Sequence, residues 1–387
     1  AMCLSGAINS GIVTKQTTAY IGDADVKASN VEVTADSSED VYNVTVNAAL
    51  AGGAGVGGAA GVDVIRNKTF AGIGANADID ATGDIRLNAE QHSAIDLYTV
   101  SGAVAGMVGV SGAVSVGVIA NETKAYVEDA ATLNAAGTTA VIADSNEKIT
   151  SVTVSGAAGG LAGVAGAVGV KVVESKTEAF IGDNARVNQA RNGAAQDVVV
   201  SATDVVTLRG GGGTVALAGY AGVGATAEVN IVRNTTTAYI GDAAWVDADR
   251  DVSVSAASTK NVQSAAIAAA GGLSVGIGGA VSVATIGAKL DDDSQGGLRD
   301  PSGGGNTASS VDSQISKDEV SGQLGGSEHV QGMKTDVAGG IGGLGVASTM
   351  NESSAASLDK TRAYIGGGSK VKAGDDVMVS ASDKVKL

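Results

Sequence analysis

Residues 236–242 read Thr-Thr-Ala-Tyr-Ile-Gly-Asp, and this seven-residue motif recurs along the chain with few changes. Successive Ile or Val residues at its fifth position are 52, 54, 54, 59 and 125 residues apart. Self-similarity at one period is the signature of a repeat architecture, so the chain is built from units of about 54 residues. The other copies are TTAYIGD at 17–23, TFAGIGA at 69–75, TKAYVED at 123–129, TEAFIGD at 177–183 and TRAYIGG at 361–367.

Each unit has the same internal order of segments. After the motif comes a stretch that alternates β-branched and polar residues, such as VEVTA at 31–35 and DVSVSA at 251–256. A Gly/Ala/Val stretch follows, as at 51–62, and leads into the next motif. Strict alternation is typical of half-buried strands, and no segment shows a helical period. The pattern predicts an all-β chain, a β-solenoid of stacked short strands.

Composition indicates how thin the core of this solenoid must be. The 387 residues include 58 Gly and one Pro, aromatic residues are 3% of the chain, and the hydrophobic 44% is mostly Ala and Val. Such small side chains fill only a thin space between backbone layers, which argues against an ordinary globular enzyme. A unit divides into three coils of about 18 residues or two of about 27, which predicts about 13 to 19 coils in a rod on the order of 60–90 Å.

The repeat predicts ladders of equivalent side chains along the solenoid. The Ala and the Ile or Val of each motif are predicted to face one side of their strands. The Gly after the Ile, as in Gly182 and Gly241, is predicted to adopt a positive φ at a coil corner. The predicted ladder residues are Thr17, Thr69, Thr123, Thr177, Thr236 and Thr361, and Tyr20, Tyr126, Phe180, Tyr239 and Tyr364.

Charge and cysteine content exclude several classes of function. The net charge of −16 disfavours nucleic acid and anionic membrane as partners, since both require a basic surface, and it is expected to limit lateral aggregation of the rod. Cys3 is the only cysteine, so an intrachain disulfide cannot form. No apolar run is long enough to predict a membrane-spanning helix, and membrane insertion is not expected.

Candidate ligand sites are few, and no cofactor is predicted. The glycine-rich runs recur in every unit and lack a nucleotide-binding motif, so they indicate close backbone packing. Calcium is the one candidate ion, through Asp291, Asp292 and Asp293 or through the motif aspartates such as Asp129 and Asp183, although turn capping is the favoured role of the latter. Three N-x-T sequons, at Asn67, Asn121 and Asn234, occupy one repeat position, and a coil corner is favoured there over glycosylation.

The unit TxAYIGDxAxVxAxxDVxVSA resembles the repeats of leukotoxin-family filamentous adhesins, which are haemagglutinin-like, type V-secreted bacterial surface proteins. The resemblance covers nearly the whole chain except residues 291–336. It implies a right-handed parallel β-helix that is exported and displayed as a fibre, and it carries over no catalytic residue.

Together these observations predict a non-catalytic stalk or filament segment of an extracellular surface adhesin. Solenoid repeats are predicted at 1–290 and 337–387, with a Gly/Ser/Asp-rich insertion at 291–336. The expected partners are other copies of the chain, joined end to end as a fibre, and a host or neighbouring cell surface. The alternative is a β-helix polysaccharide-processing enzyme or a carbohydrate-binding module that uses the insertion.

Overall fold

The structure of the chain, a computed structural model, describes residues 1–190, 196–287 and 359–387. These residues are 81% strand and contain no helix, which confirms the predicted all-β class. The chain divides into two units. The first, Ala1–Gly287 with Leu358–Leu387, holds every strand given below, and the second, Ala288–Ser357, lies outside the described residues.

The strands form three parallel sheets, A, B and C, in which neighbours in the sheet are successive repeats. Sheet A consists of β1 (Met2–Ile21), β4 (Ala54–Ile73), β7 (Val108–Val127), β10 (Ala162–Ile181), β13 (Ala221–Ile240), β16 (Val275–Ile286) and β17 (Lys360–Ile365). Sheet B consists of β2 (Asp25–Ala28), β5 (Asp78–Ala81), β8 (Thr132–Ala135), β11 (Arg186–Val187), β14 (Trp245–Asp247) and β18 (Lys370–Lys372). Sheet C consists of β3 (Val31–Ala51), β6 (Ile85–Ala105), β9 (Thr139–Gly159), β12 (Val198–Ala218), β15 (Val252–Gly272) and β19 (Val377–Lys386).

One repeat of about 54 residues makes one coil, because the chain passes once through each sheet before it pairs with the preceding repeat. The described residues therefore form six coils, and the predicted division of a repeat into two or three coils is wrong. Six strands spaced about 4.8 Å apart rise on the order of 25 Å, so the predicted length of 60–90 Å along the axis is also wrong for these residues. A 20-residue strand of sheet A, in contrast, spans about 66 Å across the axis.

Sheets A and C are the two long sides of each coil, and they converge at one edge. Only residues 52–53 join β3 to β4, so the two sheets meet there at a tight turn. At the opposite edge the short strands of sheet B separate sheet A from sheet C. A section through one coil is therefore a narrow wedge, wide at sheet B and thin at the turn.

Side-chain size follows the taper of this wedge. The wide end holds Ile, Leu and Val side chains from all three sheets, such as Ile79, Leu133 and Val141. Further along, Ile119 of sheet A packs in one cluster with Ile149 of sheet C. At the thin end the buried apolar side chains are only Ala, such as Ala157, and small polar residues such as Thr153 lie beside them. The Ala-rich composition is therefore explained by a thin core, as predicted.

Sheet A of the sixth coil is built from two strands that share one partner. Val232 of β13 pairs with Ile286 of β16, and Thr235 of β13 pairs with Lys360 of β17. Residues 288–358 thus leave and re-enter the strand at one point. Removing these 71 residues from the 125 between Ile240 and Ile365 leaves 54, the period of the other coils. The predicted boundaries at 291, 336 and 337 lie outside the described residues.

Glycine is required where the two long sheets approach most closely. A Cβ atom added at Gly109, which points inward, would collide with the carbonyl oxygen of Ala158 in sheet C. In the same strand Gly112 points outward, and a Cβ atom there would meet no atom within 4 Å. We expect Gly109→Ala to lower the free energy of unfolding by about 1–3 kcal/mol, because the sheets must separate to admit the methyl group.

Gly112→Ala is the matched control, and it should leave stability unchanged or raise it by less than about 1 kcal/mol. Urea unfolding followed by circular dichroism measures both variants. Equal stabilities for the two variants would contradict the close approach of the sheets.

Candidate functional site

The structure places the motif threonines in one inward row of sheet A. Thr123 pairs in register with Thr69 and Thr177, and the remaining three extend the row through all six coils. Their hydroxyls face sheet C, where Thr123 Oγ1 lies 3.4 Å from Ser145 Oγ and Thr177 Oγ1 donates to Asp204. The threonines of the first four coils therefore bond across the two sheets, whereas the hydroxyls of Thr236 and Thr361 are buried without a hydrogen-bond partner among the described residues. The row is Thr17, Thr69, Thr123, Thr177, Thr236 and Thr361.

The motif aromatics lie on the outer face of sheet A. The ring centroids of Phe180 and Tyr239 are 4.9 Å apart, with their planes 6° from parallel, and Tyr239 stacks on Tyr364 in the same way. Tyr126 stacks on Phe180 at 5.6 Å. In the second coil Gly72 takes the aromatic position, and the ring of Tyr126 fills the space beside it. Tyr20 lies beyond this gap.

The Ala and Ile or Val residues of the motif face inward together, as the alternation predicts. Ala125 and Val127 are fully buried, and so are their equivalents in the second, fourth and fifth coils. This confirms the proposed register. The two rows are Ala19, Ala71, Ala125, Ala179, Ala238 and Ala363, and Ile21, Ile73, Val127, Ile181, Ile240 and Ile365.

The corner after each motif differs from the prediction. In the second to sixth coils, the residue with positive φ lies two positions after the predicted Gly position, such as Asn184 at 56° and Ala243 at 53°. The Gly is required for another reason: a Cβ atom at Gly241 would collide with the Asp183 carboxylate of the preceding coil. That carboxylate accepts a hydrogen bond of 2.7 Å from the backbone N–H of Asp242.

Asp129, Asp183 and Asp242 therefore cap the next coil, which was the favoured role of the motif aspartates. Asp129 accepts from the N–H of Asp183 at 2.8 Å, and Asp242 accepts from the N–H of Gly367 at 2.6 Å. In the described ranges, no group of three or more His, Cys, Asp and Glu side chains is placed to hold a metal ion. The other calcium candidates, Asp291, Asp292 and Asp293, lie outside those ranges.

The sequon asparagines lie in the core, not at a coil corner. Asn67, Asn121 and Asn234 are 2%, 5% and 1% exposed, in the middle of sheet A strands. Each amide bonds to a carboxylate of sheet C. Asn121 Nδ2 donates to Glu147 Oε1 at 3.1 Å, and Asn234 Nδ2 donates to Asp204 Oδ1 at 2.6 Å. The corner prediction is wrong, and a glycosylating enzyme cannot reach these side chains in the folded protein.

These contacts belong to a polar tract that crosses all six coils between the wide core and the Ile119–Ile149 core and is buried in the second to fifth coils. Sheet A contributes the Thr row and the row two residues before it. Sheet C contributes two facing rows, in which equivalent residues pair in register. We call the following residues the polar tract. Besides the threonines it contains Lys15, Asn67, Asn121, Ser175, Asn234 and Asp359 from sheet A, and Ser37, Glu39, Gln91, Ser93, Ser145, Glu147, Asp204, Ser258, Lys260 and Asp383 from sheet C.

Two carboxyl groups of the tract share one serine. Ser175 Oγ lies 3.0 Å from Glu147 Oε1 and 2.5 Å from Asp204 Oδ2. Both acids are fully buried. Burial, and then the charge of Asp204, raises the pKa of Glu147 to about 8, and burial raises the pKa of Asp204 to about 6 despite the hydrogen bonds of Ser175 and Thr177. Glu147 is therefore largely protonated at neutral pH.

A second buried charge pair lies closer to the thin edge. Lys171 Nζ is 2.6 Å from Glu228 Oε2, and both side chains are completely buried. Glycines of sheet C make room for them, because a Cβ atom at Gly210 would collide with Lys171 and one at Gly212 with Glu228. The two inward glycines of the run at 210–213, Gly210 and Gly212, are thus matched to this ion pair across the wedge.

These buried groups are closed to solutes, which limits their chemistry. Glu147 and Asp204 could exchange a proton through Ser175, but no polymer or small substrate can reach them between the sheets. Their arrangement therefore acts on stability and register, and not on a substrate.

The sequence analysis missed the polar tract and the Lys171–Glu228 pair. A usable signal was present, because Ser37, Glu39, Asn43 and Thr45 occupy the same alternate positions as the buried Val33 of the same strand. In the sequence, however, a polar residue that faces the core cannot be distinguished from one that faces solvent until the position of the facing sheet is known.

Comparison with known proteins identifies no relative: no family model, no curated protein and no solved structure matches the chain. Within the described part, no helix is long and apolar enough to cross a membrane.

The Glu147 carboxyl predicts an unusual dependence of stability on pH. Its pKa is raised from 4.5 in the unfolded chain to about 8, so the folded state holds more protons between these values. Stability should fall as pH rises through this window, by about 1.4 kcal/mol per pH unit for one proton. Glu147→Gln should flatten this fall and be more stable than the parent chain at pH 8.

Glu90→Gln, on the exposed face of sheet C, is the control and should retain the fall of stability with pH, because it leaves the buried Glu147 carboxyl in place. Chemical denaturation at several pH values between 4 and 9 measures the three proteins. A parent chain whose stability rises with pH over this window would contradict the buried, protonated carboxyl.

The Lys171–Glu228 pair predicts a strong, non-additive effect. Lys171→Met alone leaves the Glu228 carboxyl buried without its partner, which should cost about 3–5 kcal/mol. Adding Glu228→Gln removes the unpaired charge, so the double variant should be more stable than Lys171→Met. A double-mutant cycle by urea unfolding tests this. Single-variant costs below about 1 kcal/mol would show that the pair is not sealed in the core.

Proposed function

We propose that the chain is a non-catalytic structural segment of an extracellular bacterial surface adhesin, in which stacked coils serve as stalk or filament. The observation that carries this proposal is the unbroken register between successive coils. β10 pairs with β7 and β13 along all 20 of its residues, and β12 pairs with β9 and β15 along all 21 of its residues.

This pairing is suited to bearing load. The backbone hydrogen bonds between coils run along the stacking axis, so axial separation of two coils must break those of both long sheets together. The aspartate caps add a side-chain bond at three successive corners, as Asp183 does for Asp242. A second set of caps lies at the start of sheet C, where Asp84 accepts from the N–H of Thr138 at 2.8 Å.

The surface location is supported by the resemblance of the repeat to filamentous adhesins. End-to-end pairing of copies and contact with another cell surface remain predictions. The alternative function, a polysaccharide-processing enzyme or carbohydrate-binding module, depends on residues 291–336, which lie outside the described residues.

Stretching single molecules by their termini tests the structural role. Each coil released from the stack frees about 54 residues, so contour length should grow in repeated steps of about 190 Å. Asp183→Ala removes one cap and should lower the force of one step, whereas Asp36→Ala, on the exposed face of sheet C, should not. Extension at low force without regular steps would contradict a load-bearing solenoid.

The surface location has a separate test. Antibodies against the purified chain should label intact cells that produce it as strongly as permeabilised ones. Labelling only after permeabilisation would contradict an extracellular adhesin and leave the structural role unaffected.

A further inference from the structure

The polarity of sheet C is inverted toward the thin edge of the wedge. There the inward side chains are small and polar, such as the buried Thr45, Thr99 and Thr153. The outward side chains of the same segments are apolar, such as Val46, Val100 and Val154. A half-buried strand normally has the opposite arrangement. The inner side has room only for small residues. The larger apolar side chains therefore lie on the outer surface of the coil, where another molecule can contact them.

We call the outward residues of this region the apolar face. It consists of four rows across five coils, and none of its residues is charged. The rows are Val44, Tyr98, Val152, Gly211 and Ala265; Val46, Val100, Val154, Gly213 and Ile267; Ala48, Gly102, Gly156, Val215 and Ala269; and Leu50, Val104, Ala158, Leu217 and Gly271.

The apolar face is open to solvent in this unit. Val46 is 62% exposed, Leu50 72% and Ile267 67%, and large side chains of the intervening coils, such as Val104 and Leu217, are also exposed. The turns at the thin edge extend the apolar surface, because they carry the exposed residues Met107, Leu161, Tyr220 and Leu273. The charged residues that give the chain its net charge of −16 lie outside the apolar face, so charge repulsion within this face does not prevent lateral association.

The face has the relief of a packing surface. In the first three coils the small residues Ala48, Gly102 and Gly156 form a groove along the stacking axis. Two ridges border this groove. One consists of Val46, Val100 and Val154, and the other of Leu50 and Val104. Ridges and a groove of this spacing on one face can interlock with a second identical face related by a two-fold axis, as sheets pack in sandwiches.

We propose that the apolar face of sheet C binds the same face of a second copy of this chain, so that two solenoids associate side by side. Its footprint is roughly 24 Å by 27 Å, or about 650 Å² per partner, from the strand and residue spacings of sheets. Two such faces bury about 1,300 Å², which is within the range of stable protein interfaces. Exposed apolar surface of this extent is rare on soluble monomers. The proposal does not depend on the proposed function.

A second copy fits this face better than a lipid surface does. The outward row that borders the face contains Asp96, Thr150, Arg209 and Gln263, without a cluster of basic residues. An acidic chain is not attracted to anionic lipid. The ridge-and-groove relief matters only for a solid partner, because fluid acyl chains impose no shape.

Sedimentation of the purified full chain over a range of concentrations tests the association. We expect a monomer–dimer equilibrium. Val154→Glu places a charge at the centre of the face and should weaken dimerisation by about tenfold or more, as substitutions at interface centres do. Asn146→Glu is the matched control, since it lies on the same strand and the same outer surface but outside the face.

Gly156→Leu separates specific packing from general stickiness. A Cβ atom there would meet only the carbonyl oxygen of Val215, at 4.0 Å, so the new side chain points to solvent and fills the groove. If two faces interlock, Gly156→Leu should weaken the dimer although it adds apolar surface. Stronger association of this variant would overturn the proposal.

Two further results would overturn it. One is a parent chain that stays monomeric at high concentration. The other is a chain that floats with neutral phosphatidylcholine vesicles, where Val154→Glu abolishes flotation and no dimer forms. Every substituted side chain faces outward, so all variants are expected to fold. Circular dichroism melts check that each of them does.

Discussion

Parallel backbone pairing between successive coils controls which side chains can occupy each row of the solenoid. It holds each residue beside its equivalents about 54 positions away, so equivalent side chains must tolerate one another at about 4.8 Å. Aromatic rings meet this condition by stacking, as Phe180 and Tyr239 do. A change of side-chain size in one coil must be compensated in the next coil. The ring of Tyr126, for example, fills the space left by Gly72. The register is also kept on both sides of the long insertion. Gly287 and Asp359 lie beside each other, and β16 and β17 both pair with β13.

The distance between the two long sheets is the second constraint. It decreases toward the turn, so a large side chain on one sheet requires glycine on the other. Gly61 faces Leu97, Gly117 faces Ile149, and Gly210 faces Lys171. The combined volume of two facing side chains is thus limited at each distance from the turn, although the residues of a single row differ in size. This matching accounts for glycine-rich runs that look like loops and are strand interiors.

The polar tract adds specificity at a cost in stability. Burying a carboxyl group such as Glu147 is unfavourable even with three hydrogen bonds, and the raised pKa records that cost. In return, polar partners such as Asn121 and Glu147 must face each other. A slip of one residue in either sheet would turn one of them outward and leave the other buried alone. The tract therefore opposes alternative registers in a chain whose repeats resemble one another.

The period, the all-β class, the inward rows of Ala and Ile and the capping by Asp129, Asp183 and Asp242 could be predicted from the sequence, because they depend on local alternation and on repetition. That one repeat is one coil could not be predicted, since the number of turns depends on which distant strands pair. The facing sheet likewise decided that Asn67, Asn121 and Asn234 are buried and that Glu147 and Asp204 share a serine. Alternation shows that two sets of residues lie on opposite sides of a strand, but only the position of the second sheet shows which set is inside.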